Sequence, residues 1–385
     1  MGIIKFIIPE IIFGTDALSQ IGVCAKRLGA NKVLVVSDKG VKEAGWVDKG
    51  LDHLEKADLS YYLWDEVTPN PSDKMVNRGG KLYHEQNCDA VVAIGGGSVI
   101  DTAKAVALLA SNGGEIQEYE GIDKVVKPLP PLVAAATTAG SGAEVSQFCI
   151  ILDSSKKSKM SIVSKSLVPD IAISDPALLS TKSFELTANT GMDALTHAIE
   201  AYTSIAATPL TDVNAINAVE LISKNLRKAA SQKTDIQAQE AMAMASLQAG
   251  KAFSNAILGA VHAMAHQLGG LLNMPHGEVN AVLLPHVMRF NLISCLDRYS
   301  DIARAFGIID KHLSERELAE QAIKSVETLA EDINVPKNLK SLGVEEEHIH
   351  LLSENAVKDV CLITNSREAD YQDIKEIFTR AYSND

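Results

Sequence analysis

The chain lacks the cysteine patterns of disulfide-stabilised proteins and of thiolate zinc sites. Its cysteines are odd in number, scattered over 385 residues and never form a Cys-x-x-Cys pair: Cys24, Cys88, Cys149, Cys295 and Cys361. This usage predicts free, buried thiols in a protein of the reducing cytoplasm. Runs of 18 apolar residues are also missing, so the sequence predicts no membrane-spanning helix.

The chain also lacks an excess of positive charge. The formal net charge is -13, so we expect neither nucleic acid nor an anionic membrane as a partner, because both would repel the surface. The apolar N-terminal stretch MGIIKFIIPEIIFG is interrupted by Lys5, Pro9 and Glu10, and no small-residue cleavage site follows it. It therefore predicts an edge strand and not a signal peptide.

The first half of the chain alternates short apolar runs with longer amphipathic segments. The runs are bounded by Gly, Pro, Asp or Asn and predict buried parallel strands: VLVVS (33–37), SYYLW (60–64), AVVAI (90–94) and LVAAAT (132–137). Segments 73–87 and 98–112 are long enough for crossover helices, so a right-handed, mostly parallel α/β sheet is expected. FCIIL (148–152) and MSIVS (160–164) predict a hairpin attached to that sheet.

The second half has a helical pattern. After segment 174–186 the chain is rich in Ala, Leu, Glu, Lys and Met, with almost no strand-like runs. Stretches 212–230 and 236–257 predict amphipathic helices. We therefore expect two domains, an α/β domain of residues 1–183 and an all-helical domain of residues 184–385.

Two loops rich in small residues follow predicted strands. AIGGGSVIDTAKAVAL (93–108) places three glycines between a strand and a helix, where a phosphate could meet the first N–H groups of the helix. A plain turn with Ser98 as the helix cap explains the same residues. ATTAGSGAEVS (136–146) is the second loop, and two such loops at strand C-termini are what a cofactor crevice requires. The G-x-G-x-x-G fingerprint is absent.

Asp38 ends the run VLVVSD. A carboxylate at a strand end suits the hydroxyls of a ribose and would repel a 2′-phosphate, which favours NAD over NADP. A helix or turn cap is the alternative interpretation, and the sequence alone leaves both open.

Histidine spacing gives the sharpest signal. GMDALTHAIEAY places Asp193 and His197 four residues apart on one helical face, and LGAVHAMAHQLGG does the same for His262 and His266 before a predicted helix end at Gly269-Gly270. His276 follows in a Pro-His-Gly turn. These donors suit Fe(II), Zn(II), Mn(II), Co(II) or Ni(II). Spacing leaves one or both of His266 and His276 open as ligands, whereas His286 stands outside the pattern.

Several motifs together resemble those of the iron-containing (group III) alcohol dehydrogenases. GMDALTHAIEAYTS and GAVHAMAHQLGGLLNMPHGEVNAVLLPH resemble the two metal signatures of that family. GGGSVIDTAKAVA, TPNPSD, TTAGSGAEVS and SDPAL are similar to its nucleotide-domain motifs, in the same order. Within the family, the chain most resembles 1,3-propanediol dehydrogenases and NAD-linked methanol dehydrogenases. The resemblance implies a Rossmann-like N-terminal domain, a helical C-terminal domain of the dehydroquinate synthase-like type and a cleft between them.

Site residues follow from the resemblance by position. It implies that Asp193, His197, His262 and His276 hold the metal, and that His266 lies near the nicotinamide, where we hypothesise that it relays a proton. It further implies these cofactor contacts: Asp38, Asn70, Gly96, Gly97, Ser98, Asp101, Thr137, Thr138 and Lys159. The implied substrate-pocket residues are Phe148, Phe253 and Cys361. Asn365-Ser366-Arg367 departs from the usual Asn-Pro-Arg, which leaves the rigidity of that loop open, and Ala260 replaces a common Tyr, which predicts a wider pocket.

The expected reaction is hydride transfer between NAD(H) and a small primary alcohol or its aldehyde, with 1,3-propanediol and 3-hydroxypropanal as the first expectation. Methanol, butanol and lactaldehyde are the alternatives within the family, and iron is the expected metal. Dehydroquinate synthase and glycerol dehydrogenases share the architecture but fit the metal motifs less well. A metal-dependent lyase or hydrolase without nicotinamide is the rival class, and the two small-residue loops argue against it. The resemblance implies a homodimer or a larger homo-oligomer.

Overall fold

A parallel sheet organises residues 7–181 in the computed structural model, which describes residues 5–383. The strands of this part of the chain are β1 Glu10–Phe13, β2 Lys32–Val36, β3 Ser60–Trp64, β4 Ala90–Gly95, β5 Gly121–Ile122, β6 Leu132–Ala136, β7 Phe148–Asp153, β8 Ser158–Val163 and β9 Ile171–Ser174. Among the described residues, six strands pair in parallel in the order β1-β9-β6-β4-β2-β3. The predicted α/β class is confirmed.

Helices cover both faces of this sheet, which is why its strands are apolar throughout. They are α1 Ile21–Arg27, α2 Lys39–Glu43, α3 Trp46–Lys56, α4 Asp73–Glu85 and α5 Gly97–Asn112. Val33 and Val35 of β2 pack in the core on one face, and Leu34 and Val36 pack in the core on the other. The predicted strands and both crossover helices are confirmed to within two residues.

The predicted hairpin of residues 148–164 is confirmed, but the prediction that it extends the parallel sheet was wrong. β7 and β8 pair antiparallel from Phe148 opposite Val163 to Asp153 opposite Ser158, but they form a separate sheet with β5. The place beside β6 is taken by β9, which pairs with β6 and with β1. Strand β9 was not among the predicted strands, because IAIS is too short to differ clearly from the residues around it.

The predicted N-terminal edge strand is confirmed over Glu10–Phe13, where β1 lies at the edge of the sheet beside β9. Residues 1–4 of that stretch lie outside the described residues. A strand is not present at residues 5–9, which precede it.

A second compact unit contains the described residues 5–6 and 182–383, and no strand is present in them. Its helices are α6 Phe184–Thr203, α7 Pro209–Ser231, α8 Ile236–Ala256, α9 Ala260–Leu272, α10 His276–Asn291, α11 Leu296–Ala305, α12 Glu315–Asp332, α13 His348–Ala356 and α14 Tyr371–Ser383. α6 packs against α7, α8 and α10. Both helices predicted from periodicity are confirmed as α7 and α8. Within residues 5–383, no helix combines the length and the apolar character needed to cross a membrane.

The predicted end of α9 at Gly269-Gly270 was wrong. The helix continues to Leu272, and Asn273 ends it in the left-handed conformation with φ 53°. Asn tolerates this conformation well, so it replaces the expected glycine as the helix terminator. The helical glycines cost about 1 kcal/mol each relative to alanine, and burial of Leu268 and Gly269 helps to offset that cost.

Candidate metal site and cofactor-binding loops

Three of the predicted metal ligands lie together in the helical unit. Side-chain donor atoms of Asp193, His262 and His276 all lie within 4.8 Å of one another. Asp193 Oδ1 is 3.9 Å from His262 Nε2 and 3.8 Å from His276 Nε2. The three residues come from α6, α9 and the first position of α10, so the packing of three helices assembles the group.

His197 lies beside this group and is not one of its three members. It is buried on α6, one turn after Asp193, and its ring stacks on His262 with centroids 4.5 Å apart. The ring of Phe253 stacks on His197 at 4.4 Å. Its position on α6 follows from the i,i+4 spacing, while its role as a ligand stays a prediction.

Asn280 marks the point on which the three donors converge. Its Nδ2 lies 2.7 Å from Asp193 Oδ1 and 3.2 Å from Nε2 of both His262 and His276. Asn280 is fully buried, and its Oδ1 has no hydrogen-bond partner. An amide NH₂ has two hydrogens and cannot donate to three acceptors at once.

Glu200 fixes the orientation of His262. Its Oε2 lies 2.6 Å from His262 Nδ1, and its Oε1 accepts the backbone N–H of Val261 at 2.7 Å. Burial raises the pKa of Glu200 to about 7, against the opposing effect of the N–H groups of Val261 and Gly259. With Nδ1 donating to the carboxylate, the lone pair of His262 is at Nε2, which faces Asp193 and Asn280.

Burial also holds His262 in its neutral form. It lowers the pKa of His262 well below the usual range, and the charge of His197 acts in the same direction. A carboxylate and an imidazole nitrogen of each of His262 and His276 lie around one point, and a divalent cation there would be bound by all three. The donor set therefore fits a metal of the Fe(II) or Zn(II) type.

His266 has a different partner. Its Nδ1 lies 2.9 Å from Asp359 Oδ2, and its ring stacks on His276 with centroids 5.6 Å apart. Burial alone would raise the pKa of Asp359, but the charge and hydrogen bond of His266 outweigh it and lower that pKa. Asp359 Oδ1 also accepts the N–H of Cys361 at 2.9 Å. The pair resembles other His–carboxylate pairs in which the carboxylate sets the tautomer.

The loop after α8 and the segment near residue 365 hold each other in place. Asn365 and Asn291 exchange two amide hydrogen bonds of 2.9 and 3.0 Å, and Asn365 Oδ1 accepts the N–H of Ala260 at 3.1 Å. Arg367 stacks on Phe290 and donates to its carbonyl at 2.8 Å. These contacts connect residues 365–367 to α10 and to the start of α9, at the place where the usual proline is missing.

In the α/β unit, the glycine turn (residues 95–98) leads from β4 into α5. The helix begins at Gly97 with Gly96 as its N-cap, and no side chain caps it. The predicted cap by Ser98 was wrong, because the helix starts one residue earlier and places Ser98 inside its first turn. The first N–H groups of α5 are therefore left to another acceptor, as a phosphate site requires.

The Thr137 loop (residues 137–147) packs directly against the glycine turn. Thr137 donates its N–H to Gly95 O at 3.0 Å. A Cβ on Gly97 would lie 2.9 Å from the Ser141 side chain, and one on Gly96 would lie 3.2 Å from Thr138, so glycine is needed for this approach. The Thr137 hydroxyl is fully buried and has no hydrogen-bond partner, which leaves it available to a ligand.

The other predicted cofactor residues belong to different segments of the α/β unit. Asp38 Oδ1 caps α2 by accepting the N–H of Val41 at 2.8 Å, so the cap interpretation is correct for that oxygen. Asn70 has φ 53°. Asp101 Oδ2 accepts the N–H of Ile150 at 3.1 Å. The pKa of Asp101 is raised to about 6 by burial, against the charges of Lys104 and Lys159.

The predicted pocket residues are all buried. Phe148 begins β7 in the α/β unit, while Phe253 on α8 and Cys361 lie in the helical unit. Burial raises the pKa of the Cys361 thiol well above its usual range. His286 is half-buried on α10, outside the group around Asp193.

Comparison with known proteins decides the family. Residues 9–176 match the model of the iron-containing alcohol dehydrogenases, and residues 187–382 match that of the C-terminal part of the Fe-containing alcohol dehydrogenase family. The chain belongs to the iron-containing alcohol dehydrogenase family.

Two relatives of this alcohol dehydrogenase carry different substrate names. It is 45% identical over 380 residues to 1,3-propanediol dehydrogenase of Citrobacter freundii, covering 98% of both chains. It is 43% identical over 376 residues to NAD-dependent methanol dehydrogenase of Bacillus methanolicus, covering 98% of this chain and 99% of the relative. A solved structure of 1,3-propanediol oxidoreductase superposes with a TM-score of 0.97 at 44% identity, over 99% of this chain and 100% of that one.

Four residues that touch the candidate sites of this dehydrogenase were missed in the sequence. Glu200 and Asn280 had a usable signal, because each lies three or four residues from a predicted ligand on the same helix. Asp359 had none, since it lies 93 residues from His266. Lys104 also had no signal, because the sequence of α5 does not show that this lysine is completely buried.

Proposed function

We propose that this alcohol dehydrogenase transfers hydride between NAD(H) and a small primary alcohol or aldehyde, with 1,3-propanediol and 3-hydroxypropanal as its substrate pair. The observation that carries the proposal is the convergence of Asp193, His262 and His276 on one point. The two relatives named for propanediol and NAD-dependent methanol oxidation support the reaction class. Methanol is the second candidate, because the two identities differ by two percentage points only (45% and 43%).

In this proposal Asp193, His197, His262 and His276 hold a divalent metal, with iron as the first choice. Bound there, the cation supplies Lewis-acid stabilisation of charge on the substrate oxygen. Glu200 keeps the His262 lone pair directed at the site. Zn(II), Mn(II), Co(II) and Ni(II) accept the same donors.

The proposed proton route runs through His266. Its Nδ1 is held by Asp359, which leaves Nε2 as the nitrogen that accepts and releases a proton. The proposed substrate-pocket residues are Phe148, Phe253 and Cys361, all of them buried. Ala260 stands where a Tyr is common in the family, and its small side chain is proposed to make the substrate pocket wider.

The proposed cofactor is NAD, bound by the glycine turn, the Thr137 loop and Asp38. The uncapped start of α5 receives the pyrophosphate, and the buried Thr137 hydroxyl binds the nicotinamide end. The remaining proposed contacts are Asn70, Asp101, Thr138 and Lys159. Asp38 Oδ2 would accept hydrogen bonds from the ribose hydroxyls, since Oδ1 is used by the helix cap.

We further propose that residues 1–183 act as the cofactor domain and residues 184–385 as the metal and substrate domain. The buried free thiols of all five cysteines support a cytoplasmic location. A homo-oligomer is supported by the exposed side chains of Ile205 and Ile363, whose two segments are joined by the hydrogen bond from Ile205 N–H to Thr364 O. Light scattering of the purified protein tests the oligomer.

The deciding experiment uses protein purified without air. Metal content is measured first, and then NADH formation from 1,3-propanediol, methanol and 1-butanol with NAD or NADP. We expect about one metal per chain, activity with NAD and the highest kcat/KM for 1,3-propanediol. The variant Asp193→Ala should lose both metal and activity. Full activity after removal of the metal by a chelator would refute the proposal, and absence of NADH binding would favour a lyase or hydrolase.

A further inference from the structure

Lys104 is a completely buried lysine in the middle of α5, at 0% exposure. Its Nζ lies 2.7 Å from the carbonyl oxygen of Ser146, 3.0 Å from Ser146 Oγ and 2.8 Å from the carbonyl oxygen of Phe148. An ammonium has three hydrogens, so these three acceptors use its full donor capacity. None of the roles assigned above uses this side chain.

The three bonds connect two parts of the proposed cofactor site. Lys104 belongs to the helix that the glycine turn begins, whereas Ser146 and Phe148 lie where the Thr137 loop ends and β7 starts. The same helix binds the same segment one turn earlier, because Asp101 Oδ2 accepts the N–H of Ile150. The sulfur of Cys149 also donates to the Asp101 carbonyl at 3.2 Å.

Burial and nearby carboxylates act on the charge of Lys104 in opposite directions. Burial lowers the pKa of Lys104, and the nearby carboxylates of Asp101 and Glu144 act in the opposite direction. Glu144 is itself a residue of the Thr137 loop and is 2% exposed. A fully buried ammonium with three hydrogen bonds is costly to move, because any displacement leaves its N–H groups without acceptors in the interior.

Lys104 therefore fixes the far end of a loop whose near end already touches the glycine turn. The near end is held by the Thr137 N–H to Gly95 O bond and by the close approach of Ser141 to Gly97. With both ends fixed, the loop has one position relative to the first turn of α5. An apolar side chain in place of Lys104 would fill the space without setting that position, because dispersion contacts are not directional.

We propose that Lys104 is a positioning residue for the dinucleotide, holding the Thr137 loop so that this loop and the glycine turn bind the cofactor together. The inference rests on the proposed function, which assigns NAD to these two loops. Lys104 touches neither cofactor nor substrate in this account. Its effect should appear in cofactor affinity and not in the metal site, whose residues belong to the helical unit.

The test compares Lys104→Met with a matched control on the same helix. Methionine keeps an unbranched chain of similar length and removes the three donors. Val106→Ala is the control, because Val106 is equally buried on α5 but lies, with Trp64, against Gly79 of α4 and makes no hydrogen bond through its side chain. The dissociation constant for NADH is measured by fluorescence titration of the metal-loaded protein, and Tm and metal content are measured beside it.

For Lys104→Met we expect the dissociation constant for NADH and the KM for NAD to rise about tenfold or more, which is the scale of lost charged hydrogen bonds. The kcat at saturating NAD should stay within about threefold of wild type, and metal content should be unchanged. Val106→Ala should lower Tm and leave NADH affinity unchanged. An unchanged dissociation constant in Lys104→Met, or an equal loss in Val106→Ala, would overturn the inference.

Ser146→Ala covers the case in which Lys104→Met does not fold. It removes one of the three acceptors and keeps both carbonyls, so NADH affinity should fall by about two- to fivefold with little change in Tm. Wild-type affinity in this variant, with Lys104→Met unfolded, would overturn the inference as well. Wild-type protein that fails to bind NADH would overturn the proposed function together with the inference, whereas normal binding by every folded variant would overturn the inference alone.

Discussion

The carboxylate of Glu200 both caps helix α9 and holds His262, the first candidate ligand on that helix. Gly259 at the N-cap of α9 has no side chain, and Glu200 accepts the N–H of Val261 and approaches His262 Nδ1 at 2.6 Å. The helix start and the imidazole orientation therefore depend on one residue from α6, and the first two predictions follow from this dependence.

Glu200→Gln should weaken metal binding by about 10- to 100-fold, the usual cost of losing a carboxylate behind a histidine ligand. In one orientation the glutamine NH₂ group donates to His262 Nδ1, so the ring proton moves to Nε2 and the lone pair is no longer directed at the metal site. In the other orientation the NH₂ group faces the Val261 N–H, and two donors oppose each other. The measurement is a metal competition titration with a chromophoric chelator. Glu220→Gln, on the exposed face of α7, is the control and should bind metal as wild type does. Equal affinity in both variants would contradict the role of Glu200.

Gly259→Ala should also reduce metal affinity, although alanine is an acceptable residue at its backbone angles of φ -144° and ψ -153°. A Cβ there would lie 2.8 Å from Asn365 Oδ1 and 2.9 Å from Glu200 Oε1, so both side chains must move. Gly343→Ala is the control for general destabilisation, because its φ of 88° makes it strained while its Cβ would meet no neighbour. We expect both variants to lose thermal stability and only Gly259→Ala to lose metal.

His266→Ala should lower kcat for alcohol oxidation by about 100-fold or more if His266 relays the proton. Asp359→Asn should have a smaller effect in the same direction, because it removes the acceptor that fixes the tautomer of His266. The checks are pH profiles of kcat and metal content, which should stay at the wild-type level in both variants. Full activity of His266→Ala at every pH would rule out the relay.

His286 should make the stability of the protein depend on pH. Burial, with the charges of Arg289 and Arg380, lowers the pKa of His286 to about 4, below the usual 6.5 of an unfolded chain. Between pH 6.5 and 4 the unfolded state therefore binds more protons, and the free energy of unfolding falls as the pH falls, by up to about 1.4 kcal/mol per unit. Urea unfolding at pH 7 and pH 5 should show a smaller loss for His286→Gln than for wild type. The same loss in both proteins would contradict this assignment.

Most of the correct predictions came from patterns within short segments of the sequence. Buried strands such as β2 and β4 are continuous apolar runs, and the pairs Asp193–His197 and His262–His266 follow from helical spacing. The order of the strands was not predictable, because the pairing of β1 with β9 depends on tertiary packing. The same holds for Asp359 and for the Asn291–Asn365 pair, whose members are 93 and 74 residues from their partners.

Helix starts show where local interpretation fails. Ser98 looked like a cap by residue type, yet Gly96 takes that position and leaves the first turn of α5 without a side-chain acceptor. α9 likewise starts at Ala260 after a glycine and is capped from another helix. In both cases the helix lacks a cap from its own N-cap side chain, and in both cases it begins beside a proposed ligand site.

The position of β1 at the edge of the sheet has a consequence for synthesis on the ribosome. Within residues 5–383, β1 pairs along one side only, through Glu10 to Phe13 with Ile171 to Ser174. The nascent chain must be extended to Ser174 before this strand can pair, which takes roughly 10 to 30 s at ordinary elongation rates. During that interval Ile11 and Ile12 have no native strand partner, so a chaperone that binds short apolar segments would find a target in this strand.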